Sequence, residues 1–143
     1  MKVIIPMDIV SIQGDGYHLF IPLKIGRKKF RMLVDTGASR TVFDLSRMLE
    51  RIPDLDAVDA ERMSTGLGAS GIAGKIARIG NLSFNGLKIN NYHTMLLDMS
   101  HVNESYSELG LAPVDGVLGS DLMHQLNGII NYGKGSLTLQ NDI

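Results

Sequence analysis

Residues 33–39 read Leu-Val-Asp-Thr-Gly-Ala-Ser: an ionisable Asp35 follows two apolar residues and precedes a run of small ones. A carboxylate delivered by the end of a strand and held in a tight turn is placed to act as a general acid or base. Gly37 can take backbone conformations closed to other residues, and the small side chains at 37–39 let a second backbone approach the acid. Thr36 adds a hydroxyl that can bond across such a contact. The same residues also suit an ordinary turn in which an Asp bonds its own backbone. This stretch alone leaves both roles open.

Other chemistries fit less well. Gly66-Leu67-Gly68-Ala69-Ser70-Gly71 has the spacing of a dinucleotide-binding loop, which requires a helix opening at the third glycine. The residues that follow, 72–84, are isoleucine-rich, interrupted by Gly74 and Gly80, and read as a strand. The stretch 66–74 reads instead as a glycine-rich hairpin tip whose low-bulk backbone suits close approach to a bound chain. A phosphate-binding P-loop also fails, with Ala69 in place of its first glycine and Ile76 after Gly74-Lys75. His18, His93, His101 and His124 stand in no ligand spacing and the chain has no cysteine, so neither a metal site nor a thiolate nucleophile is expected. Ser39 and Ser70 do not complete the Gly-x-Ser-x-Gly of a hydrolase nucleophile elbow, since Thr41 and Ile72 stand where its second glycine is required.

The elements that position these residues are mostly strands. Strands are predicted at about 8–12, at 17–25 and at 29–35, the last two joined by Gly26-Arg27-Lys28 as a hairpin. Asn85-Gly86 and Gly133-Lys134-Gly135 mark two further hairpins. A short helix over 45–52 is predicted, capped by Asp44 and stopped by Pro53; a second over 121–127, capped by Ser120 or Asp121, ends at Asn127-Gly128. The stretch 98–113 shows no clear period and reads as a long loop with at most one helical turn. Many short strands with frequent turns predict an all-β sandwich or closed barrel with one or two short helices.

The 143 residues are 44% hydrophobic and 20% charged with a formal net charge of −1, a balance that predicts one globular domain over 1–143. Interspersed charges argue against a nucleic-acid partner or a membrane surface. The opening Met-Lys-Val-Ile-Ile-Pro is too short and polar for a signal peptide or membrane span, and the sequence assigns no compartment.

Residues 114–121, Val-Asp-Gly-Val-Leu-Gly-Ser-Asp, place a buried strand end and Gly119 before a helix start, where close packing against another turn is allowed. An upstream Asp-Thr-Gly-Ala-Ser, a glycine-rich stretch at 66–75 and the segment 115–139 occur in the order of the retropepsin-like aspartic proteases, and the chain resembles that family. The resemblance implies a closed acid-protease barrel, a single retropepsin-like lobe, and a homodimer in which Asp35 of each copy joins one active site. It implies Asp35 as the catalytic residue, Thr36 and Gly37 as its support, and Ala38, Ser39, Ala69, Ser70 and Gly71 as contacts of a peptide or protein substrate under a flap. It implies no cofactor.

Two departures stand out. Ser39 and Ser120 occupy the places where viral members carry an ion pair, and Arg40 with Asp121, one step later, is expected to replace it. With a single Asp-Thr-Gly, a monomeric enzyme would need Asp115 or Asp121 as its second acid. A catalytically silent module for dimerisation or peptide binding is the alternative reading of the same residues.

Overall fold

Tyr17–Ile25 (β3) and Lys28–Val34 (β4) form the expected hairpin, pairing from Phe20↔Leu33 to Ile25↔Lys28 around Gly26-Arg27. The structure, a computed structural model, describes residues 1–60 and 74–142. Gly74–Phe84 (β7) and Leu87–Leu97 (β8) form a second, longer hairpin. Its turn residues Asn85 and Gly86 both have positive φ, which a two-residue turn between twisted strands requires. The other strands are Lys2–Pro6 (β1), Asp8–Ser11 (β2), Val42–Asp44 (β5), Asp56–Asp59 (β6), Gly116–Leu118 (β9), Ile129–Asn131 (β10) and Ser136–Gln140 (β11).

Six strands close on themselves in the order β3-β4-β9-β5-β8-β7 and back to β3. Closure rests on β7, which pairs β6 through residues 75–78 and turns to β3 at Leu82 and Ser83. Leu23, Ile25, Phe30, Met32, Phe43, Ile79, Leu82 and Leu96 fill the interior. Strands β1, β11 and β10 form a separate three-stranded sheet.

Leu45–Arg51 (α1) follows the sequence expectation. The Asp44 carboxylate accepts the Arg47 N–H at 2.9 Å, Met48 is buried, and the helix ends at Ile52 before Pro53. Three helices are present among the described residues rather than one or two. The region expected as a loop contains Ser100–Glu108 (α2), nine residues long. Only Val102 and Tyr106 dock from its body, so its apolar face is too thin to show a period, and no side chain caps its start. These two residues cover Phe20 and Leu33, which point out of the barrel, explaining why Leu19, Phe20 and Ile21 are all buried on one strand. Asn103 pins the return of the chain, bonding both the N–H and the carbonyl of Val114 at 2.8 and 3.1 Å.

Ser120–Gln125 (α3) starts one residue earlier than expected, with Gly119 as its cap and no side-chain capping bond. Neither Ser120 nor Asp121 caps it. The Asp121 carboxylate is instead turned to Thr41.

Candidate active site

Strands β4 and β9 run parallel, Val34 beside Leu118, and both end at the same level. The chain leaving β4 at Asp35 must cross over the end of β9 to enter β5, which lies on the far side of β9. Gly119 sits beneath that crossing. A Cβ there would lie 2.5 Å from the carbonyl carbon and oxygen of Arg40 and 2.9 Å from the Ala38 oxygen, so only glycine lets the loop lie down. Two main-chain bonds fix it: the Asp35 N–H donates to Leu118 at 2.9 Å, and the Ser120 N–H donates to Ala38 at 2.7 Å.

Within this loop Asp35 Oδ1 accepts the Gly37 N–H at 3.0 Å, and the Asp35 carbonyl accepts the Ala38 N–H at 3.1 Å. Oδ2 has no bonding partner among the described residues. Asp35, Thr36, Gly37 and Ser39 are exposed, and Ala38 is half-buried. Asp35 and Thr36 line a cleft of ≈ 320 Å³ together with Tyr17, His18, Ile130 and Tyr132. Ala38 and Ser39 do not line this cleft; both main-chain polar atoms of Ala38 are engaged within the chain. Ala69, Ser70 and Gly71 lie outside the described residues. The strands flanking that segment, β6 and β7, pair antiparallel up to Asp59↔Lys75.

Behind the loop lies a polar network that sequence reasoning missed. Thr41, fully buried, receives the Gly119 N–H on its hydroxyl at 2.9 Å and gives that hydroxyl and its own N–H to Asp121 Oδ1, each at 2.8 Å. Tyr92 donates its phenol to Asp121 Oδ2, and Thr94 donates to the Thr41 carbonyl at 2.8 Å. Burial alone would raise the Asp121 pKa, but the bonds from Tyr92, Thr41 and the backbone outweigh it and hold the carboxyl below its ordinary value. Burial, reinforced by Asp121, pushes the Tyr92 phenol well up.

The expected Arg40–Asp121 pair is present but loose, with Nε 3.8 Å from Oδ2 and Arg40 61% exposed. The closer contact of the guanidinium is the His93 carbonyl at 3.0 Å. Thr41 and Tyr92, rather than Arg40, hold Asp121.

Neither candidate second acid is free. Asp115 is buried and accepts from Arg47 Nε at 2.8 Å, from the Arg31 N–H at 2.9 Å and from Arg51 at 3.4 Å. Asp121 is engaged as described, and neither lines the cleft at Asp35.

A family model described as aspartyl protease matches residues 21–122, from β3 into α3. No curated protein matches the chain. Among solved structures, the chain is similar to a retropepsin-like aspartic protease from Rickettsia conorii, at 18% identity and a TM-score of 0.56, covering 97% of this chain and 90% of that one. It is also similar to the retroviral protease-like domain of Ddi1 from Leishmania major, at 20% identity and a TM-score of 0.57, covering 87% of this chain and 90% of that domain. At these identities the likeness is one of fold. Among the described residues no helix is long and apolar enough to cross a membrane.

Proposed function

The chain belongs to the aspartyl protease family and has its retropepsin-like barrel, and from that premise we propose that it is an aspartic endopeptidase whose active site forms when two copies bring their Asp35 carboxylates together. The observation that carries this reading is the presentation of Asp35. The barrel pins the loop from both sides, yet leaves the carboxylate exposed in a cleft where, among the described residues, no second acid of the same chain lies beside it. A two-fold contact supplies the missing group, since closed symmetric dimers place the same residue of each copy at the axis.

Two carboxylates held that close share one proton, because both cannot ionise cheaply. The ionised Asp35 takes a proton from a water lying between them, and the water oxygen forms a bond to the scissile carbonyl carbon. The protonated Asp35 gives its proton to the carbonyl oxygen. As the tetrahedral intermediate collapses, one of its hydroxyls returns a proton to the Asp35 that gave one up, the C–N bond breaks, and the amine leaves with the proton that the other Asp35 took from the water. The pair titrates as a unit. Thr36 reaches across the axis to steady the two loops, and Gly37, with no side chain, admits the substrate backbone. Ala38 and Ser39 leave room for the partner loop and an extended peptide. The segment with Ala69, Ser70 and Gly71 closes over that peptide, adding strand-like main-chain bonds.

The rim of the cleft supports a contact on this side. Strand β10 is an edge of its sheet among the described residues, Ile129 and Tyr132 are 61% and 62% exposed, and Ile130 and Tyr132 share the cleft with Asp35. Unpaired edges carrying apolar residues invite a second strand.

Cleavage of casein and of a peptide library over pH 3–7 tests the reading. The wild type is expected to cleave, and Asp35→Asn to lose at least about a hundredfold in rate. Cleavage that survives Asp35→Asn would refute the mechanism. A dimer that binds peptides without cleaving them would favour the silent module.

A further inference from the structure

At the cleft beside Asp35, His18 forms a polar pair that the mechanism does not use. His18 Nδ1 lies 2.8 Å from the Tyr106 hydroxyl, the two rings meeting edge-on at 5.7 Å. Tyr106 is 4% exposed, in the last turn of α2, and packs edge-on against Phe20. Among the described residues its hydroxyl has no other partner. Burial raises its pKa, Asp35 adds in the same direction and Arg31 opposes, so the phenol keeps its proton.

A protonated phenol beside an imidazole nitrogen is the natural donor of the two, since a neutral imidazole nitrogen without hydrogen is a strong acceptor. With Nδ1 accepting from Tyr106, the proton of the neutral ring resides on Nε2. That N–H has no protein acceptor among the described residues, and half-buried His18 lines the same cleft as Asp35 and Thr36. The groups facing His18 are Tyr106 and Phe20 by ring contact, Val10 across the ladder from β2, and Asp35 across the cleft. Among the described residues none of these is hydrogen-bonded to Nε2.

We propose that His18, its tautomer set by Tyr106, is a specificity-determining residue of this cleft, and that the preferred peptides carry Asp, Glu, Asn or Gln at the side chain seated against it. The inference rests on the reading of Asp35 as the catalytic acid only in placing this subsite beside the scissile bond. An unpaired donor on a residue that lines the cleft rewards an oxygen acceptor and penalises an apolar group that leaves it unpaired or a Lys that brings a second donor. Helix α2 thereby acts on selectivity through Tyr106 without touching the substrate.

The test is fluorescence anisotropy of labelled octapeptide pools, each with one position fixed in turn as Ala, Glu, Gln or Lys, against the full chain carrying Asp35→Asn so that no peptide is consumed. At one position Glu and Gln pools are expected to bind about tenfold more tightly than Ala pools. Adding His18→Leu should bring the ratio to near one. His18→Gln, whose amide both accepts from Tyr106 and donates to the cleft, should keep most of it. Tyr106→Phe frees the tautomer and should let Lys and Ala pools approach the Glu pool, so the test stands even where His18→Leu does not fold. A purely structural His18 would shift all pools together. Equal ratios in the presence and absence of His18→Leu, or no advantage of Glu and Gln at any position, would overturn the proposal. Failure of the wild type to cleave pools that the Asp35→Asn chain binds selectively would instead overturn the protease reading and leave this one standing.

Discussion

Replacing Gly119 by alanine probes the crossing that presents Asp35. The backbone there is extended, with φ −98° and ψ −179°, a conformation any residue adopts, so alanine meets no conformational penalty. The whole effect is steric. The new Cβ would stand 2.5 Å from main-chain atoms of Arg40 and 2.9 Å from the Ala38 oxygen, and no flexible side chain is there to yield. The loop has to lift by roughly 1 Å to restore ordinary contact. Overpacking of this kind destabilises by about 1–3 kcal/mol. Lifting also stretches the 2.7 Å bond from Ser120 to Ala38, about 1 kcal/mol more.

The expected loss is therefore about 2–4 kcal/mol, or roughly 6–15 °C in melting temperature for a chain of this size. Gly80→Ala is the control, since a Cβ at Gly80 meets nothing within 4 Å, and its midpoint should stay within about 0.5 kcal/mol of wild type. Urea denaturation of both variants reads the difference, and peptidase activity should fall with Gly119→Ala beyond what the unfolded fraction explains. A Gly119→Ala midpoint as close to wild type as the control would refute the reasoning.

Three further outcomes are expected from the same structure. Asp121→Asn should lower stability by about 1–2 kcal/mol near neutral pH, because its amide must face a donor from Thr41 or Tyr92. The folded carboxyl is held below its ordinary pKa, so its contribution is present above about pH 4 and lost on acidification; the gap between variant and wild type should close as pH falls through that range in urea titrations. Asp115→Asn should cost about 3 kcal/mol by thermal melting, since it unpairs a 3% exposed carboxylate from Arg47 and Arg51, which are themselves about one-third exposed. Asp44→Ala should cost about 2–4 kcal/mol, removing the cap of α1 and leaving the buried Met99 N–H unbonded, with early exchange of the Arg47 and Met99 amides as its signature in hydrogen exchange.

The sequence was most legible where structure is local. The strand-forming run ending at Gly26 gave β3 to the residue, Asn85-Gly86 gave the long hairpin, and Asp44 with Pro53 gave α1. The order of Asp-Thr-Gly-Ala-Ser and Val-Leu-Gly-Ser-Asp carried the family through resemblance, and Gly119 was expected at a close approach, which is where it lies. Less legible were elements whose logic is tertiary. Strand β5 has three residues, too few to show a period, and exists because the crossing loop places it beside β9. Barrel closure rests on two residue pairs between β3 and β7. Helix α2 is polar on most of its surface and forms because Val102 and Tyr106 cover Phe20. The bonds from Tyr92 and Thr41 to Asp121, and from Tyr106 to His18, join residues 29 to 88 positions apart, a spacing no local pattern encodes.

The central claim is that two Asp35 residues, one from each copy, make one catalytic pair. The most direct measurement is the initial rate of cleavage of a quenched peptide at fixed wild-type concentration while Asp35→Asn chain is titrated in. Shared sites predict that the rate falls toward zero as wild-type subunits are drawn into mixed dimers, and that specific activity without the variant rises with protein concentration. A rate indifferent to both would contradict the account.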